Sequence, residues 1–113
     1  MNYSGNDFYC DVVLKDTIPF KIEYESENVL AFHHTRPHWP VHIVVIPKKH
    51  ISSFTSFSSE ENPILLEIFE VLKTIAGKVE KEHGAARILT NLGNYQDSKH
   101  VHWHVNSGEP NNL

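Results

Sequence analysis

The sequence predicts an α+β fold, on three observations. Between Pro63 and His83 the residues Ile64, Leu65, Ile68, Phe69, Leu72, Ile75, Ala76 and Val79 recur with helical period, which gives one long amphipathic helix. Short runs rich in β-branched and aromatic residues lie on both sides of it. The two runs after the helix are joined by a short polar turn, which makes them antiparallel neighbours, because a parallel pair needs a long crossover.

Each element has its own signal. From Phe8 to Leu14 the positions Phe8, Tyr9, Val12 and Val13 suit a short helix packed on the body. Lys21–Tyr24 and Val29–Phe32 are strands around the polar turn Glu25-Ser26-Glu27-Asn28, a hairpin. The segment Thr35–Pro40 holds two prolines, which cannot continue a ladder, so it is a loop. His42–Ile46 is a β-branched buried strand ended by Pro47. A serine-rich loop, Ser52–Ser59, leads into the helix, which starts either at Asn62 with Pro63 in its first turn or slightly earlier through a Ser58/Glu61 capping box. Gly84 stops it. Arg87–Asn91 is a strand, Leu92–Ser98 a turn containing Gly93 and Asn94, and His100–Val105 the last strand.

The chain has 113 residues, enough for one domain with a real core and too few for two ordinary ones. Apolar residues are 40% and charged residues 21%, the usage of a folded chain rather than a disordered one. Ten basic against fourteen acidic side chains give a net charge of -4, and no basic run exceeds Lys48-Lys49, which argues against an extended grip on nucleic acid. Cys10 is the only cysteine, so an internal disulfide and a tetrathiolate zinc site are excluded. With no signal-like N-terminus and no run of about 18 apolar residues, the expectation is a soluble, cytoplasmic protein that does not engage a membrane.

The stretch KHVHWHVN, Lys99 to Asn106, places His100, His102 and His104 at strict alternation. In extended chain these three share one face while Val101, Trp103 and Val105 share the other. The apolar face packs on the helix; the imidazoles, roughly 6.5 to 7 Å apart along the chain, face a common space. Crowded imidazoles are costly to charge together, so most are neutral near neutral pH. Three chemistries fit: a zinc site completed by His42, His50 or a carboxylate; nucleophilic catalysis by one imidazole with its neighbours as helpers; or a polar strand on a solvated edge. Rings on one straight strand rarely converge on one ion, which weighs against the first.

The same residues resemble a known signature. HVHWHVN is similar to the alternating histidine motif of the histidine triad (HIT) family of nucleotide hydrolases and transferases, with Asn106 where that family usually has an apolar residue. VLAFHHTRPHWPVHIVVIPKKHI, Val29 to Ile51, is similar to the family's other signature, and TNLGNYQ precedes the triad as expected. The resemblance covers the chain from Asp7 to Val105, a single domain within residues 1–113.

The resemblance implies a HIT-like fold: a roughly five-stranded antiparallel sheet, one long helix, a short N-terminal helix, and a homodimer. It implies a nucleotide hydrolase in which His102 attacks the α-phosphorus to form a nucleotidyl-histidine, with no cofactor or metal required. His100 would orient His102, partly through its backbone carbonyl; His104 would bond the phosphate and assist the leaving group; His42 would support the triad. Ile18, Phe32, His33 and His34 fall where the base and ribose are held, and Asn91, Gly93, Gln96 and Asp97 where the phosphate is met. The substrate class implied is a purine nucleotide conjugate, foremost a nucleoside phosphoramidate and otherwise a dinucleoside polyphosphate. Two positions depart: His34 replaces the usual ribose-holding Asp or Asn, and Asp97 replaces a Ser or Thr that helps the leaving group. Those departures leave a weakly active nucleotide-binding or sensor protein as one alternative, and a zinc hydrolase using the same histidines as another. The zinc-binding Cys-x-x-Cys of some bacterial relatives is broken here, with Asp7 in place of the first cysteine.

Overall fold

A computed structural model of the chain describes residues 20–111, with five strands and one long helix. The strands are β1 (Ile22–Glu25), β2 (Val29–His33), β3 (Val41–Pro47), β4 (Arg87–Leu89) and β5 (Trp103–Ser107), and the helix α1 is Asn62–His83. The short helix expected over Phe8–Leu14, together with Cys10 and Ile18, lies outside the described residues. The sheet order is β1-β2-β3-β5-β4 with every pairing antiparallel, so the five-stranded antiparallel sheet with one long helix is present as expected.

Alternation along the central strands divides the core in two. Val29, Ala31, Ile43, Val45 and Val105 face α1 and pack against Ile68, Val71, Leu72, Ile75 and Val79. Leu30, Phe32, Val44 and Ile46 form a smaller apolar patch on the opposite face, joined by Phe20. Trp103 anchors the helix side of β5, ringed by Phe54, Phe57 and Phe69 at centroid distances of 5.9, 6.2 and 6.5 Å.

Both predicted helix-start signals operate in sequence. Glu61 accepts the Ser58 N–H at 2.9 Å across a single 3-10 turn, and Pro63 then sits in the first turn of α1. At the other end Gly84 takes the left-handed conformation (φ 85°) and donates to the Glu80 carbonyl, a glycine stop.

Two strand boundaries need correction. The last strand begins at Trp103, not His100. The ladder with β3 ends at the pair Val45 and Trp103. Beyond it Pro47 has no N–H to give, and its carbonyl is taken by the His100 ring at 2.8 Å rather than by backbone. Val101 turns instead to the Ile51 carbonyl, at 2.7 Å. β4 likewise stops at Leu89 instead of reaching Asn91, and the next residue, Thr90, gives its hydroxyl to the His102 carbonyl at 2.7 Å.

Candidate active site

The face of the sheet away from α1 carries a row of imidazoles. Val44 lies opposite His104 and His42 opposite Asn106 across β3 and β5, so these four side chains share the face with Phe32. His102 precedes β5 in extended chain and keeps the alternation. Ring centroids run His34 to His42 at 4.4 Å, stacked within 21°, then His42 to His104 at 4.9 Å, then His104 to His102 at 5.0 Å. His38, on the loop between β2 and β3, lies 5.6 Å from His34 and 5.8 Å from His42. His100 is fully buried beneath this row, edge-on to His50 at 5.2 Å.

Hydrogen bonds to groups of fixed polarity determine where each ring carries its proton. His102 Nδ1 lies 2.9 Å from the His100 carbonyl, which can only accept. Nδ1 is therefore protonated, and the lone pair of neutral His102 is on Nε2. His42 Nδ1 accepts the backbone N–H of His38 at 3.1 Å, so its proton sits on Nε2. That Nε2–H donates to His104 Nδ1 at 2.8 Å, which places the His104 proton on Nε2. His34 Nδ1 accepts the Arg36 N–H at 2.9 Å, leaving its Nε2 a donor as well. The row thus presents one lone pair, on His102, beside a hydrogen-bond donor, on His104.

Electrostatics holds these states. Burial, followed by the neighbouring imidazoles, depresses His42 and His104 to about 3 and His34 to about 4 from the ordinary 6.5. Burial also lowers His102, opposed by its bond to the His100 carbonyl and by the Asp97 carboxylate. Neutral rings dominate at neutral pH, which keeps His102 in the nucleophilic form of an imidazole, with its lone pair on Nε2. Among the described residues no three His, Cys, Asp or Glu side chains are grouped to hold a metal ion.

The structure brings together His42, His100, His102, His104, His34 and Phe32 from the sequence reading. His33 is set apart: it points to the α1 side, where its Nε2 meets Glu23 at 2.9 Å, and Glu23 also pairs with Lys78 of α1. Gln96 is buried and gives its amide protons to the Ser52 and Ser98 carbonyls, pinning the turn before the triad. Gly93 (φ 61°) opens a 3-10 turn, and its carbonyl accepts from Lys99 and from the Gln96 N–H. Asn91 is half-buried between β4 and that turn, and Asp97 is exposed on the approach to His102.

Sequence reasoning passed over three residues that shape the row: His38, whose peptide N–H sets the His42 tautomer; Thr90; and Arg87, whose guanidinium bonds Asn106 at 2.8 Å. A histidine between Pro37 and Pro40, four residues before His42, was the available signal for the first.

Comparison with known proteins adds a family. A model described as the HIT domain matches residues 15–111. An uncharacterized 13.2 kDa HIT-like protein of Azospirillum brasilense is 36% identical over 112 residues, spanning 94% of this chain and 88% of its own length. A solved histidine triad protein from Clostridium difficile is similar at a TM-score of 0.77 and 31% identity, over 99% of this chain and 100% of that one. A HIT family hydrolase from Clostridium thermocellum matches at a TM-score of 0.79 and 29% identity, over 95% and 94%.

Proposed function

This chain belongs to the HIT domain family, and we propose that it is a nucleotide-binding hydrolase acting at the α-phosphorus, foremost a purine nucleoside phosphoramidase. One observation carries the reading: a His102 Nε2 lone pair fixed beside a His104 Nε2–H donor.

The His102 lone pair attacks phosphorus, the P–N bond to the leaving amine breaks, and a nucleotidyl-His102 forms. Water then displaces His102 and releases the nucleoside monophosphate. Splitting the displacement in two spares water a direct attack on an anionic phosphorus ester. His104 donates to a phosphate oxygen as negative charge builds. His104 cannot surrender that proton without becoming an imidazolate, because His42 already donates to its Nδ1. The leaving amine therefore takes its proton from water on the exposed side, where Asp97 lies. The base is placed over the side of the sheet where Phe32 and its apolar neighbours form the buried floor, and the His34 Nε2–H suits a sugar hydroxyl. Asn91, Gly93, Gln96 and Asp97 frame the phosphate end. Every group in this scheme is a side chain or water, so no cofactor is required.

The test is to quench a reaction with adenosine 5′-phosphoramidate and weigh the intact protein. Wild type should carry a nucleotidyl adduct and His102→Ala none; equal turnover by the two proteins overturns the reading. Turnover should also survive chelation, whereas loss restored by zinc would favour a metal hydrolase. A second reading, a weakly active nucleotide-binding protein, is favoured by the Asp97 carboxylate near His102, which repels a phosphate. Tight AMP binding by calorimetry with no turnover would select it.

The edge strand β4 exposes Ile88, and α1 exposes Leu66 and Phe69, which supports a homodimer; sedimentation should give twice the chain mass. No described helix is long and apolar enough to cross a membrane. A lone cysteine suits a reducing compartment, and the cytoplasm is the proposed location.

A further inference from the structure

The proton on His104 depends on the Pro37–His38 peptide of the loop between β2 and β3, which joins the Pro37 carbonyl to the His38 N–H. His38 donates its N–H to His42 Nδ1, and its carbonyl accepts the Asn111 N–H at 2.6 Å. The Asn111 side chain reaches the adjacent Pro37 carbonyl at 3.2 Å. The segment after β5 is itself tied down at Gly108, whose carbonyl accepts from Arg87 at 3.0 Å. Gly108 has φ 92° and packs so tightly on the loop that an added Cβ would lie 3.0 Å from Pro40 Cγ.

We propose that Gly108–Asn111 is a latch on the histidine row, with Asn111 as a positioning residue that acts through the two peptides flanking His38. Neutral His42 has two tautomers, and the other carries its proton on Nδ1. That proton would oppose the His38 N–H, and His42 Nε2 would face His104 as an acceptor. His104 would then move its own proton to Nδ1 to answer it. The exchange leaves a lone pair, rather than a donor, on His104 Nε2. Only a rigid Pro37–His38 peptide prevents it: the Asn111 side chain holds that peptide by the Pro37 carbonyl while His42 takes its N–H, and the Asn111 N–H holds the next peptide by the His38 carbonyl. The bond is at the surface, so the latch is open to influence from outside the site.

The kinetic consequence rests on the hydrolase reading; the tautomer does not. Long-range 1H–15N spectra of histidine-labelled protein report which nitrogen of His42 and His104 is protonated. Wild type should show protonated Nε2 on both rings. Asn111→Pro removes the N–H and should give mixed tautomers, with kcat down about tenfold and KM within twofold, a difference of about 1.4 kcal/mol in barrier. Asn111→Ala loses the Pro37 bond, the one that restrains the peptide bearing the His38 N–H, and should give mixed tautomers as well. Gly108→Ala, which forces the segment off Pro40, should reproduce the mixture and decides the matter if the proline variant does not fold. Wild-type tautomers in Asn111→Ala, or in both Asn111→Pro and Gly108→Ala, overturn the latch, as does mixing without loss of kcat in an active enzyme. If wild type turns over no nucleotide, the nitrogen spectra still decide the latch and the failure belongs to the hydrolase reading.

Discussion

His104 keeps its proton on Nε2 because His42, 62 residues earlier, donates to its other nitrogen. That makes His104 a hydrogen-bond donor of fixed direction and not an acid, a distinction substitution can expose. A glutamine at position 104 retains an N–H donor; an alanine retains nothing. His104→Gln should therefore lose about tenfold in kcat/KM and His104→Ala about 10²–10³-fold, the cost of deleting one donor to a developing charge. If both lose equally, donation is not what His104 does. The pH profile supplies a second prediction. Burial lowers His102 below the ordinary 6.5, and the form proposed to attack is the neutral ring. As pH falls, kcat/KM should stay flat through 6.5 and decline only below it. A rate that halves at or above 6.5 would mean that a different group is titrating.

At the level of elements, alternation in VHWHV is what the chain uses to separate chemistry from support, and it persists although only Trp103–Val105 of that run is in the ladder. The sheet, the long helix and the two faces were legible because hydrophobic period states them directly. The start of β5 was not, since it depends on Pro47 withholding an N–H 53 residues away from the ring that takes its carbonyl. The tautomer chain was not legible either: it runs through a loop peptide, and peptide groups leave no trace in side-chain patterning. His33 illustrates the same limit, because its neighbour His34 leaves the strand and stacks on His42 while His33 stays in register facing Glu23. Trp103, at the meeting of strand and helix, tests the supporting face: Trp103→Ala should cost about 3–5 kcal/mol in denaturant unfolding. Asn106 tests the other. Its Oδ1 serves Arg87, but its buried Nδ2 has no partner among the described residues. Asn106→Leu removes that donor and should leave stability unchanged or raise it by about 1 kcal/mol, while Arg87, being exposed, turns to water. A loss of more than about 2 kcal/mol would show that Nδ2 is satisfied after all.

The molecule as a whole gathers five of its nine histidines, His34, His38, His42, His102 and His104, in one row, and this couples the site to global stability. In the folded chain His34 titrates at about 4 and His42 and His104 at about 3; in the unfolded chain each returns to 6.5. Between those limits the unfolded state binds more protons, so stability is fully present above 6.5 and drains away as pH falls toward 3. Carboxylates held low in the fold, Glu23 and Glu61, push in the same direction, but only below their unfolded value of 4.5. Burial tends to raise Glu23, and its bonds to Lys78 and His33 outweigh that; the Lys49 bond lowers Glu61. The two sources therefore separate by onset. Thermal melts should show Tm falling already between 6.5 and 4.5, where the carboxylates contribute little. Replacing His42 and His104 together by glutamine should lessen the fall across that interval, His34 and His102 keeping a part of it, and leave the steeper loss below 4.5 in place. A wild-type Tm that is level across it would mean that the row accepts protons in the folded state, and the neutral lone pair on which the proposed chemistry depends would not be protected.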